Sequence, residues 1–435
     1  MRSLLHSAAL AIFILASLAA IHRGRNYDVY GSQTCDFIAP YSGARCLVHG
    51  CDPYLAADLQ TQFVASHGNL AALDSRHSWN VLLPVYPPAT FLLISPLTVF
   101  DYPTAQTIWF YSGAILFCIA TGLLVFFVES ELQWLYFLLA AVMLSSANTD
   151  FLLGPGQPST FAIAFTAMAV WAFYKTKWKW LGIVLLALGL AMKPHMAIAV
   201  FVFLLLNKRL RREALISGAI AVGLLAAAVA RLQLSMHSSA WLEKFRTAVS
   251  VGIQPGGTNE PSPANPVAMH IINVQTIVSI WARSPRVYGL ISLVILGIIA
   301  ALWIGSYLKS RYAEEDPLFA MSGLLCLSLL AVYHRDYDSR LLILTIPPIV
   351  WLLRHHLRAG ILLFVVSTPL LFCQTTMHTL KYLLVSNQQN FEAFTPFRTL
   401  FYLRQQPISL LGLAILWPLA YYLVAKSTAK STTAG

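Results

Sequence analysis

Residues Leu4 to Ile21 form an unbroken apolar run, with Arg2 before it and Arg23 and Arg25 after it. At a helical rise of about 1.5 Å per residue, such a run crosses most of the roughly 30 Å hydrocarbon layer of a bilayer. Further apolar runs follow at about 88–100, 105–128, 132–147, 159–174, 180–192, 194–206, 213–231, 288–306, 317–333, 341–353, 360–375 and 409–425. Several fall short of the ~20 residues that an upright lipid-facing span needs, so they fit only where other protein covers them. The first run also has the small residues Leu18-Ala19-Ala20 of a weak signal-peptide cleavage site. The many runs behind it favour an uncleaved first helix. The pattern predicts an all-α fold, a polytopic transmembrane helix bundle of about 10–13 spans.

Charge supports this reading. Only 11% of the 435 residues are charged, against roughly 25% in soluble domains. The net charge of +11 would raise nucleic acid as a partner for a soluble chain. In a membrane protein it marks cytoplasmic loops, and no nucleic-acid partner is expected. The basic clusters are Lys175 to Lys179, Lys208 to Arg212, Lys309-Ser310-Arg311 and Arg354 to Arg358, with Lys426 and Lys430 in the tail. Placing them all inside gives a consistent scheme from residue 159 onward.

In that scheme 180–206 is a helical hairpin with Lys193-Pro194-His195 at its outer tip. As one span it would put two basic clusters on opposite sides of the membrane, and Pro194 favours a break. The chain reads as a single integral membrane domain, 1–435, with a cytoplasmic tail at 426–435. The extracytoplasmic side receives a long first loop (22–85), residues 154–158, a second large loop (232–287), residues 333–338 and 376–408. Within the first loop, Leu55 to Leu73 has the spacing of a short interfacial helix. Three runs lie between 86 and 154, where two outer ends require an even number. Either 88–100 is re-entrant or 132–153 holds two short segments.

Cys118, Cys326 and Cys373 sit in or beside apolar runs and read as packing residues. Cys35, Cys46 and Cys51 share the first loop, where one disulfide among them is expected. There is no C-x-x-C metal spacing, no nucleotide-binding glycine motif and no internal repeat of the transporter kind.

The polar residues gather on the outer side, and ionisable groups at a membrane face are functional candidates. The first loop and the run behind it carry Asp36-Phe37, Tyr41, Ala44-Arg45, Gly50, Asp52-Pro53-Tyr54, Tyr86-Pro87-Pro88 and Pro96-Leu97. Read singly, Asp36 caps a helix, Asp52-Pro53 is a turn, and Tyr86-Pro87-Pro88 is a helix entry. In order and spacing, the series resembles the first-loop signature of glycosyltransferase family 87, membrane-embedded transferases of the GT-C type. Gly156-Gln157-Pro158-Ser159 and Gly182 to Lys193-Pro194 fit the same family. Asn273, Gln275 and Tyr333 to Tyr337 are weaker matches.

The resemblance implies a GT-C-like fold and a reaction. A hexose, usually mannose, would pass from a polyprenyl-phosphate carrier to a hydroxyl of a lipid-linked or cell-envelope glycan. This would occur on the extracytoplasmic face of the inner (plasma) membrane. The family pattern maps its general base onto Asp36, and attack opposite the leaving phosphate would invert the anomeric centre. The leaving lipid phosphate calls for cationic groups. Lys193, His334 and Arg335 are the candidates, against a snorkelling lysine and local ion pairs with Asp336 or Asp338. Gln157 would bind sugar hydroxyls or cap a helix. Asp52, Tyr54, Tyr86 and Asp336 complete the expected substrate-binding set.

Asp336-Tyr337-Asp338 has an Asp-x-Asp metal spacing but lies late in the chain, and Asp150 stands alone. No cofactor is expected, because lysine and histidine would take over the charge role of a divalent ion. Two other functional classes leave different marks in a sequence. A transporter or flippase would carry charges buried in mid-span on both halves of a repeat, a pattern this sequence lacks. A catalytically dead scaffold would not need Asp36.

Overall fold

The computed structural model describes residues 2–27, 35–69, 85–236, 240–254, 257–309, 317–373 and 395–432. Among them every regular element is helical. In chain order they are α1 (Arg2–Arg25), α2 (Cys35–His49), α3 (Ala56–Ala65), α4 (Pro88–Ile94), α5 (Tyr102–Leu123), α6 (Gln133–Leu144), α7 (Ala147–Leu153), α8 (Pro158–Lys175), α9 (Lys179–Met192) and α10 (Pro194–Leu206). Then follow α11 (Arg211–Met236), α12 (Trp241–Ile253), α13 (Gln275–Val278), α14 (Pro285–Lys309), α15 (Pro317–Ala331), α16 (Ile346–His355), α17 (Leu357–Leu371), α18 (Pro396–Leu403) and α19 (Gln405–Thr432). Pro88, Pro158, Pro194, Pro285, Pro317 and Pro396 each stand first in a helix. There the missing N–H costs nothing and the fixed φ is already helical.

The chain is a polytopic helical membrane protein. Five described helices are long and apolar enough to cross a bilayer: Ser3–Arg25, Tyr102–Phe127, Arg211–Ser235, Pro285–Lys309 and Gln405–Ala425. The pair α6 and α7, bent by 66°, makes a sixth if counted as one span. Pro88–Val99, α9, α10, α15 and α17 are apolar but shorter. The sequence-based count of 10–13 therefore included runs that do not reach bilayer length singly. The parity question between 86 and 154 has a structural counterpart: 132–153 holds two short segments broken at Ser145-Ser146. Within 55–73 the described residues form one helix, α3, and residues 70–73 lie outside the described set. The same holds for 376–394 of the last outer loop.

The described chain forms two compact units. The first comprises Ser17–Leu123 and Thr149–Thr258, the second Met1–Ala16, Leu124–Asn148 and Asn259–Gly435. In the first, α8 is apolar all round and buried along most of its length, including Ala162, Ile163, Ala164, Ala167, Ala169 and Val170. It packs against α5, α9 and α10. A helix without a polar face belongs inside such a bundle. The hairpin at 180–206 is observed as α9 and α10, joined at Lys193. Helix α2 buries Phe37, Ile38 and Tyr41, and Gly43 lets it approach α4, since a Cβ there would lie 2.5 Å from the Phe91 ring. A Cys46–Cys51 disulfide closes the C-terminal end of α2. The Cys35 side chain lies outside the described set.

In the second unit the break between α6 and α7 exposes carbonyls that a continuous helix would satisfy. Arg340, fully buried, fills this need. Its Nη1 donates to Met143 O (3.2 Å), Ser146 Oγ (2.9 Å) and Leu371 O (3.4 Å), and its Nη2 donates to Leu370 O. One guanidinium thus serves the α6–α7 break and the last turn of α17. Replacing Arg340 by Met should cost about 3 kcal/mol, since several buried acceptors lose their donor. Thermal unfolding in detergent should show a midpoint several degrees lower; an unchanged midpoint would mean other donors satisfy those carbonyls.

Candidate functional site

Helix α8 cannot extend backwards past Pro158, and the residue before a proline is held extended. Gln157 takes that conformation (φ −60°, ψ 131°), and its carbonyl accepts from Thr160 N at 3.0 Å. Gly156 has φ +73°, a conformation that favours glycine. The loop before α8 is held on two further sides. Trp109 Nε1 donates to Gly156 O at 2.8 Å, and Asp36 N donates to Pro155 O at 2.9 Å. Phe37 stacks on Trp109 with ring centroids 4.7 Å apart, which fixes the start of α2 against α5.

These contacts bring two of the expected site residues to one place. Asp36 lies in the first turn of α2, half-buried, and its Oδ2 accepts from Gln157 Nε2. The Gln157 side chain therefore does not cap α8; it is turned to the carboxylate. Lys193, between α9 and α10, donates from Nζ to Ser159 Oγ at 2.5 Å. Thr90 Oγ1 holds the neighbouring Met192 carbonyl at 2.7 Å. Residues 157 and 159 are two positions apart, so their Cα atoms are within about 7 Å of each other. The start of this buried helix thus contacts a carboxylate through Gln157 and an ammonium group through Ser159.

Asp150 is not alone, as its sequence context had implied. Arg23 Nε donates to both its carboxylate oxygens at 3.1 Å, clamping the end of α1 to α7 just ahead of the Gly154–Gln157 loop. The partners are 127 positions apart, a distance over which the sequence carries no pairing signal.

Asp52, Tyr54 and Tyr86 form a separate group. Asp52 Oδ1 accepts from Tyr54 N (2.9 Å), its N donates to Asp58 Oδ2 (2.8 Å), and Oδ2 forms an ion pair with Lys244 of α12. Tyr54 Oη donates to Tyr86 O at 3.0 Å. Burial, and then the Asp52 charge, hold the Tyr54 hydroxyl well above its ordinary pKa, so it stays a donor. Asp36 stands in the first turn of α2 and Asp52 just beyond its other end, the helix between them being about 20 Å long. Lys244 was not singled out from the sequence.

In the second unit, His334 is fully buried, with Nδ1 3.2 Å from Asp338 Oδ2, the local ion-pair geometry weighed above. Arg335 donates through Nε to Tyr333 Oη and through Nη2 to Asn259 Oδ1 at 3.3 Å. Asp336 faces His270, with 2.7 Å between Nδ1 and Oδ2. The carboxylates of the Asp-x-Asp pair thus each hold a different imidazole. His270 came forward only in the structure, where an antiparallel bridge between Ile271 and Arg335 sets it beside Asp336.

The family model for glycosyltransferase family 87 matches residues 85–332, more than half of the chain. No curated protein and no solved structure matches it significantly. The chain belongs to glycosyltransferase family 87 and is a multi-pass membrane glycosyltransferase. The matched range contains Tyr86, Gln157 and Lys193. Asp36, Asp52 and Tyr54 precede it, and His334, Arg335 and Asp336 follow it.

Gln157 reaches the Asp36 carboxylate with its side-chain amide. Gln157→Leu should therefore lower glycosyl transfer by about 100-fold, the usual scale for a reacting group displaced by an ångström. Activity and the unfolding midpoint should be read together. Loss of activity without loss of stability is expected; unimpaired transfer would show that the bond does not matter to the reaction.

Proposed function

We propose that the chain transfers a hexose from a polyprenyl-phosphate carrier to a hydroxyl of a lipid-linked or cell-envelope glycan. The reaction would occur on the extracytoplasmic face of the plasma membrane, and the family resemblance favours mannose. The observation that carries the proposal is that the N-terminal end of α8 engages both groups, Gln157 donating to Asp36 and Ser159 accepting from Lys193. Acceptor and donor need opposite charges close together, a base for the hydroxyl and a cation for the phosphate.

In this mechanism Asp36 accepts the proton of the acceptor hydroxyl as its oxygen attacks the anomeric carbon. The bond between that carbon and the phosphate oxygen breaks, and the polyprenyl phosphate leaves with the electron pair. Attack from the side opposite the leaving group inverts the anomeric centre. Lys193 neutralises the departing phosphate, and the positive end of the α8 dipole adds to the same field. Transfer proceeds without a metal, because Lys193 supplies the positive charge a divalent ion would provide.

The hairpin of α9 and α10 supports the assignment of side. It carries Lys175–Lys179 and Lys208–Arg212 at its open end and Lys193 at its tip. With the basic clusters in the cytoplasm, the tip faces outward.

The test is a transfer assay in membranes with polyprenyl-phosphate sugars. Asp36→Asn should lower turnover by about 10²–10⁴-fold, the usual contribution of a general base. Lys193→Gln should lower turnover as well, and the product should have the opposite anomeric configuration to the donor. Full activity in Asp36→Asn, or retained configuration, would contradict the mechanism.

A further inference from the structure

Helix α12 (Trp241–Ile253) follows the membrane-crossing helix α11 by a few residues, yet it is too short and too polar to cross a bilayer itself. Its 13 residues span about 20 Å and include Glu243, Lys244 and Arg246. Its sides differ sharply. Trp241 and Phe245 meet the Tyr54 ring, with centroids 6.3 and 5.8 Å apart, while Ala248 and Gly252 are buried. Lys244 is ion-paired with Asp52.

Beside that docked face runs a stripe that no described residue covers. Leu242, Val249 and Ile253 are 40%, 38% and 51% exposed. Their spacing of seven and four puts them on one line of the helix. Arg246 falls on the same line, where a long aliphatic stem lets the charge reach water. Glu243, Thr247 and Ser250 lie on the polar side. Val251 is the exception, an exposed apolar residue away from the stripe.

The location of α12 identifies what meets the stripe. Helix α11 crosses the membrane over Arg211–Ser235, with most of its surface outward. Near its end, Arg231 donates to Leu47 O (3.2 Å) and Val48 O (2.9 Å) in the last turn of α2. The end of α11, the end of α2 and the Asp52–Lys244 pair thus meet at one membrane face. Trp241 follows Ser235 by six residues, so α12 starts within about 20 Å of the end of that span.

We infer that α12 is an interfacial helix, lying along the membrane surface with Leu242, Val249 and Ile253 inserted among the lipids. Its inner face holds the Asp52–Tyr54 turn at the depth of the headgroups. An amphipathic helix of this kind gains from burying its apolar stripe at the acyl boundary while its charges remain in water. Depth set in this way reaches the polar centre of the same unit by hydrogen bonds. Tyr54 holds Tyr86 at the entry to α4, and Thr90 of α4 holds the Met192 carbonyl beside Lys193.

Site-directed spin labelling of the full chain in lipid nanodiscs tests this. Cys35, Cys118, Cys326 and Cys373 are replaced by alanine, the Cys46–Cys51 disulfide is kept, and one nitroxide is placed at 242, 243, 247, 249, 250 or 253. Labels at 242, 249 and 253 should collide far more with oxygen, which concentrates in lipid, than with a water-soluble nickel chelate. Labels at 243, 247 and 250 should show the reverse, giving a helical period across the series. Nickel access at 242, 249 and 253 equal to that at 243 and 247 would overturn the inference, because the stripe would then face water. Exclusion of both reagents from the stripe would overturn it too, since a protein surface, such as a second copy, would be covering it.

Discussion

Inside a bilayer, backbone donors and acceptors must find partners within the protein, and this chain repeatedly interrupts its helices. Each interruption exposes groups that a continuous helix would satisfy, and polar side chains collect there. Arg340 serves the Met143 carbonyl and the Ser146 hydroxyl at the break between α6 and α7. Trp109 and the Asp36 N–H serve the loop before α8. The site of the first unit arises the same way. Pro158 and Pro194 break the chain at two nearby points, and Gln157 and Lys193 are the residues standing at those breaks.

This explains why part of the architecture was legible in the sequence. Prolines and basic clusters are local signals, so the 180–206 hairpin and the residues at its tip could be read directly. The first-loop series led to the family because order and spacing survive in sequence. The number of full spans was not legible. Apolar runs such as 180–192 and 317–333 look alike whether they face lipid or other protein, and only packing separates the two. The bend at Ser145-Ser146 gave no proline or glycine signal. It depends on a guanidinium about 195 positions away in sequence.

The pairings were the least legible layer. Arg23 with Asp150, Lys244 with Asp52 and His270 with Asp336 join residues far apart in sequence. Residue type marked the aspartates as candidates but not their partners. Asp52 and Tyr54 illustrate the consequence. Both belong to the family-like series, yet their side chains hold α12 and the entry to α4. Asp36 differs from them, since the side chain it meets, Gln157, stands at the head of the helix that also engages Lys193.

The central claim is that Gln157 acts on the reaction through Asp36. A double-mutant cycle measures this directly, because residues acting as one unit give non-additive losses. Transfer rates are compared for wild type, Asp36→Asn, Gln157→Leu and the double variant. The account predicts that the double variant is no slower than Asp36→Asn alone. Losses that multiply in the double variant would show that the two residues act independently, and would contradict it.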